Sequence, residues 1–178
     1  MKKRKIIIFS IILLTGCNKT NEVLLFDNNV VIPMPSTFQH ISSSQRLPPE
    51  LQGFYNFNYN QAYFFIGEEQ YLAIMVIEDS CNHYEKKQFG VIGSYKNIFE
   101  LVYPHIQWGD RNNLPSGFTE QKFSIRFNKK SYNGLIGILC YDLHSQIYIN
   151  YCKRDNHLDY KQTLGNKILK NIKVKYPK

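Results

Sequence analysis

Apolar positions along this chain recur in two rhythms, one of period two and one of three to four, and the switches between them outline an alternation of strands and helices. Val23 to Phe26 and Val30 to Ile32 are short apolar runs split by Asp27-Asn28-Asn29, the signature of a first hairpin. Pro33, Pro35, Pro48 and Pro49 then bracket an irregular stretch. From Gly53 onward Tyr55, Phe57 and Tyr59 alternate with Asn56, Asn58 and Asn60, which predicts a one-sided strand. Tyr63 to Ile66 and Tyr71 to Ile77, around Gly67-Glu68-Glu69-Gln70, predict a hairpin buried on both faces.

The helical rhythm follows. Tyr95, Ile98, Phe99, Val102, Tyr103 and Ile106 share one stripe, with Ser94 placed to cap its start. Pro104 predicts an end or kink near Val102. Arg111 to Gly117 reads as a loop, and Phe123, Ile125 and Phe127 as another strand. Leu135 to Leu143 and Gln146 to Lys153 predict a late hairpin. A turn centred on Leu143-His144 sets residue 140 opposite 147 and gathers Ile136, Ile138, Cys140, Ile147, Ile149 and Tyr151 on one core face. Leu164, Ile168 and Ile172 outline a terminal amphipathic helix ending before Pro177. The predicted class is α+β: an antiparallel sheet with a middle helix and a C-terminal helix packed on it.

The chain has 178 residues with hydrophobic residues at 43%, enough for a core in one domain. Its formal charge of +8 suggests a nucleic-acid partner until the charges are placed. Lys2, Lys3, Arg4 and Lys5 precede a nine-residue run, Ile6 to Leu14, broken only by Ser10, and together these form the n-region and h-region of a signal peptide. A spanning helix would need about 20 apolar residues. Setting those four cations aside leaves 18 basic against 14 acidic residues, a net +4. Most of that excess lies in Lys161, Lys167, Lys170, Lys173, Lys175 and Lys178, read as a solvated helix face, so no nucleic-acid partner is expected.

Leu14-Thr15-Gly16-Cys17 follows the apolar run and resembles the lipobox of bacterial lipoproteins, an aliphatic residue and two small residues before a cysteine. The resemblance implies cleavage after Gly16, a lipid on Cys17 and acylation of the new N-terminus. More than one acyl chain is what stable anchoring requires. The expected organisation is a signal over 1–16, a lipidated tether over 17–22 and a single domain over 23–178. Asn18 stands where an aspartate would, in enterobacteria, argue for inner-membrane retention, so outer-membrane placement facing the periplasm is expected.

The proline-bracketed opening Val31-Ile32-Pro33-Met34-Pro35 with Phe38, the middle helix, the late hairpin and a last helix running into Ile172-Lys173-Val174 resemble the PsbP/DcrB-like superfamily of small envelope domains. That resemblance implies a fold and no single chemistry.

With Cys17 used by the lipid, Cys81, Cys140 and Cys152 remain in an oxidising compartment. Cys81 could reach either of the others; the favoured pairing is Cys81 with Cys152, leaving Cys140 a buried free thiol. A metal site could draw on Cys81, His83, Cys140, His144, Cys152 or His157, but the spacing matches no usual zinc pattern, so neither metal nor cofactor is expected. There is no G-x-S-x-G, P-loop or dinucleotide glycine pattern. Glu78, Asp79 and Glu85 read as a solvated strand end, and His40, His105 and His144 lack a visible nucleophile partner. Thirteen tyrosines and twelve phenylalanines remain, and Tyr55, Tyr59 and Tyr63 are candidates for an interaction face. The expected function is a non-enzymatic, membrane-anchored protein-binding module, with an immunity protein against a secreted antibacterial toxin as its concrete form. The alternative is a PsbP/DcrB-like assembly or ligand-binding factor.

Overall fold

Sheet dominates the architecture, because most apolar runs in the chain are short and alternate. The computed structural model describes residues 20–55, 58–78, 84–127, 129–142, 144–154 and 164–175. Its strands are β1 (Thr20–Leu25), β2 (Val30–Pro35), β3 (Gln39–Ile41), β4 (Gln61–Gly67), β5 (Gln70–Glu78), β6 (Gln107–Asn113), β7 (Thr119–Phe127), β8 (Lys130–Cys140), β9 (Ser145–Arg154) and β10 (Lys173–Val174). Two helices accompany them, α1 (Tyr84–Val102) and α2 (Leu164–Asn171). A seven-stranded sheet has the order β3-β4-β5-β9-β8-β7-β6, and a small sheet the order β1-β2-β10, with antiparallel pairing throughout. The fold is therefore α+β with antiparallel sheets.

Each face of the large sheet carries its own core. On one face Ala73, Met75, Ile136, Ile138 and Tyr148 pack against Ile92, Tyr95 and Phe99 of α1 and against Leu51 and Phe54 from a 3-10 segment over Pro49–Phe54. On the other, Leu72, Ile74, Leu135, Ile147 and Ile149 meet Val30, Ile32, Ile168 and Leu169, so the small sheet and α2 form the opposite layer. Central strands enclosed this way read as continuous apolar runs. The first hairpin lies where the sequence places it: Phe26, Asp27 and Asn28 all have positive φ, and Asn29 N–H donates to Phe26 O at 3.0 Å. Asp and Asn tolerate that conformation, while Phe26, 5% exposed, is held there by burial and edge-on contact with Tyr63 at 5.0 Å.

Several expectations need correction. Strand β1 starts at Thr20, inside the 17–22 stretch. Of the alternating residues from Tyr55 to Asn60, the described ones, Tyr55 and 58–60, lie in no strand. Pro48 and Pro49 start a 3-10 turn, Tyr55 N–H closes it on Gln52 O at 2.9 Å, and β4 begins only at Gln61. Helix α1 begins at Tyr84, ten residues before Ser94, so Ser94 is an exposed interior position rather than a cap. The helix ends at Val102, as Pro104 requires. Part of the expected loop over Arg111–Gly117 is strand β6, reaching Asn113. In the late hairpin Cys140 pairs with Gln146 and Ile138 with Tyr148, one residue off the expected register. Ile147, Ile149 and Tyr151 therefore face α2, while Ile136 and Ile138 lie under α1.

Candidate functional site

The small sheet does not cover its side of the large sheet completely, and two concavities open along the seam. The first is apolar, about 360 Å³, lined by Val23, Leu24 and Leu25 of β1, Met34 of β2, Phe38, and Tyr63 and Phe65 of β4, with His40 of β3 at its rim. Leu24 is 55% exposed there, unusual for a leucine on a strand. The walls are two sheet edges: β1 ends the small sheet and β3 the large one. Among the described residues no strand pairs with the outer edge of either.

The second concavity, about 410 Å³, lies beyond Phe26 and is polar. Asp27, Glu78, Asp142 and His144 line it with Asn29, Asn60 and Gln61. Asn60 Nδ2 donates to Glu78 Oε1 at 3.0 Å. Burial alone would raise the Asp142 carboxyl, but the Ser145 hydroxyl and the N–H groups of His144 and Ser145 reverse this and hold it below the usual range. The His144 N–H bond to Asp142 Oδ1 is 2.7 Å. Burial, with the charges of Asp142 and Asp27, raises the Tyr141 phenol.

The expected aromatic face is not formed. Tyr55 is 3% exposed in the core beneath α1, Tyr59 is exposed and edge-on to Phe64 at 6.2 Å, and Tyr63 lies on the opposite side of the sheet in the apolar concavity. Their sequence alternation places them together only in a strand, and neither Tyr55 nor Tyr59 lies in one. Of the three, Tyr63 belongs to the site. The lipobox residues, Cys81, His83, Asp79 and His157 lie outside the described residues, as does the side chain of Glu85. Glu78 is exposed at the end of β5, and His40 and His144 belong to different concavities. Leu24, Met34, Asp27 and Asp142 were not named as site residues from the sequence. The signal available was the free apolar edge of the first hairpin.

The cysteine allocation is also corrected. Cys152 is a free buried thiol and Cys140 is disulfide-bonded, with its partner sulfur outside the described residues. The expected Cys81–Cys152 bond is therefore not present. The one-residue register change puts Cys152 beneath α1, where Sγ–H donates to Asn150 Oδ1 at 3.2 Å beside the Tyr55 hydroxyl, which donates to the same oxygen at 3.3 Å. Asn150 Nδ2 donates to Tyr148 Oη at 3.4 Å, and Tyr148 donates to Phe54 O at 3.3 Å. Burial pushes the Cys152 thiol far above its ordinary value and raises the phenols of Tyr55 and Tyr148 as well. A thiol so held is protonated and enclosed, the opposite of an activated nucleophile. Among the described residues no group of three or more His, Cys, Asp or Glu could hold a metal ion.

No protein-family model matches the chain, and no curated protein matches it. Among solved structures it is similar to a crystal structure from Bacteroides thetaiotaomicron VPI-5482, with a TM-score of 0.52 and 5% sequence identity over 88% of this chain. The match takes in 49% of that chain, so this one spans about half its length. The likeness is one of fold.

Proposed function

We propose that this chain is a lipid-anchored protein of the bacterial envelope that works as a protein-binding module without chemistry of its own. Its contact surface in this reading is the seam between the β1–β2 hairpin and the β3–β4 edge. The observation that carries the reading is the apolar concavity itself, with Leu24 exposed on a strand edge that no described strand pairs, four residues beyond the start of the domain's first described strand. An exposed apolar patch beside an open edge is costly in water and marks an interaction surface.

The lipobox resemblance supplies the rest. Thr20, the first residue of β1, follows Cys17 by three positions, so a lipid there ties the seam close to a membrane. Outer-membrane placement facing the periplasm follows from Asn18 by the same resemblance. In its concrete form the protein is an immunity factor that occludes a secreted antibacterial toxin. The PsbP/DcrB-like reading, an assembly or ligand-binding factor, draws support from the apolar lining, which suits a small hydrophobic ligand as well as a side chain.

The test uses the full-length chain with a C-terminal tag, solubilised from membranes and used to capture partners from envelope and secreted fractions. One stoichiometric protein, lost when Leu24 is replaced by aspartate, supports the binding module. Absence of any partner, with a hydrophobic small molecule co-purifying instead, favours the ligand-binding alternative. Metabolic labelling with a palmitate analogue that survives in a Cys17→Ser variant rules out the anchor.

A further inference from the structure

The two concavities are consecutive stations along the same strands. On β4 the residues facing the small sheet are Gln61, Tyr63 and Phe65; Gln61 lines the acidic concavity, Tyr63 and Phe65 the apolar one. At about 3.3 Å per residue, Gln61 and Phe65 are about 13 Å apart. The first hairpin makes the same passage in the other direction, from Asn21 and Val23 on β1 through Leu25 to Phe26 and Asp27 in its turn. A seam of this length, flanked along its apolar part by an unpaired strand edge, has the dimensions of an extended peptide rather than of a compact ligand.

Charge selects the peptide. The chain as a whole carries a basic excess, yet the far end of the seam is lined by Asp27, Glu78 and Asp142. Of the other groups lining it, His144 alone can become cationic. The lowered Asp142 carboxyl keeps at least that oxygen pair ionised at neutral pH. Building on the binding-module reading, we infer that the seam takes an extended segment of a partner protein added as a strand to the outer edge of β1. An apolar side chain enters between Val23, Met34 and Tyr63, and a lysine or arginine four positions away lies against Asp27, Glu78 and Asp142. Main-chain hydrogen bonds to β1 supply affinity, and the two side-chain stations supply choice of sequence. Residues four apart in a strand point to the same side and span the same distance of about 13 Å.

The probe is a nine-residue peptide of alternating threonine and valine with leucine and lysine four positions apart, labelled for fluorescence anisotropy. It is titrated against the full lipidated chain in nanodiscs. Two counterparts carry glutamate in place of lysine, or proline between the two anchors. The expected result is at least tenfold tighter binding of the lysine peptide than of either counterpart. The lysine-to-glutamate ratio falls toward one in 0.5 M salt and in a D27N/E78Q/D142N variant, because the discrimination is Coulombic. Leu24→Asp abolishes binding. Hydrogen exchange on the unmodified protein gives a readout independent of any variant's folding, and the lysine peptide is expected to slow exchange along β1.

Equal binding of the lysine and glutamate peptides, undiminished binding of the proline peptide, or protection confined to other strands overturns the inference. So does saturation of the groove by a fatty acid with no peptide binding at all. A captured partner whose binding is indifferent to Leu24→Asp and to the three neutralised carboxylates leaves the binding module standing and removes this inference. Failure to capture any partner removes the binding module itself.

Discussion

Glu50 shows how a single side chain fastens the irregular part of the chain to the sheet. It sits in the first turn of the 3-10 segment, 9% exposed, and accepts from Lys130 Nζ at 2.6 Å and Tyr132 Oη at 2.5 Å at the start of β8. Burial pushes its carboxyl up, but those two hydrogen bonds outweigh it and hold it below the usual glutamate range. Glu50→Ala should cost about 1.5–3 kcal/mol in urea unfolding at pH 7, the range for a hydrogen bond to a charged group. Because the native carboxyl is lowered, its contribution is complete above the unfolded value and is lost as pH falls through the native one. The gap between wild type and variant should therefore narrow as pH falls through the native value; a gap that widens there contradicts the assignment. Gln146 makes the opposite case. It is fully buried between Ile77 and Cys140, and neither end of its amide meets a hydrogen-bond partner among the described residues. Removing an unsatisfied buried polar group by a near-isosteric apolar one should stabilise by about 1–3 kcal/mol, so Gln146→Met is expected to raise the urea midpoint. A lowered midpoint would show that the amide has a partner.

At the scale of elements, α2 depends on two glycines for its close approach to the sheet. A Cβ on Gly165 would lie 2.6 Å from the Tyr151 ring, and one on Gly137 would lie 2.7 Å from Leu169. Tyr151 is fixed by its own burial and by its hydroxyl donating to Gln70 Oε1 at 2.7 Å, so it has little room to yield. Gly165→Val should cost about 1–3 kcal/mol by overpacking and loosen α2, read as faster hydrogen exchange at Ile168 and Leu169. Unchanged stability would mean that α2 sits farther out. The first hairpin, the β4–β5 hairpin and the end of α1 at Pro104 were legible because turn residues and proline act locally. The register of β8 and β9 was not. Both faces of β9 are buried, with Ile147 and Ile149 on one side and Tyr148 and Cys152 on the other, so alternation has no preferred side from which to set it. β6 escaped notice because it is a polar edge strand, Gln-Trp-Gly-Asp-Arg-Asn-Asn, held by side-chain bonds such as Asn112 Nδ2 to Glu120 Oε1 at 2.9 Å. The alternation starting at Tyr55 misled in the other direction, because the 3-10 segment over Pro49–Phe54 closes on Tyr55 and the next strand begins only at Gln61.

For the whole molecule, the large sheet is a scaffold enclosed by α1 on one face and by α2 and the small sheet on the other, and an apolar concavity opens along the seam at the edge of that second layer. Little of this site was visible in the sequence. Only Tyr63 among the expected interaction residues lines it, since the seam is made by the approach of β1 and β2 to strands far along the chain. What the sequence does indicate is that β1 starts three positions after Cys17. The measurement that tests the account most directly is hydrogen exchange on the full-length protein with and without its captured partner. The account predicts slowed exchange along β1 and at the β3–β4 edge, with β6, β7 and α1 unchanged. Protection on β6, β7 or α1, with β1 left as it was, would contradict it.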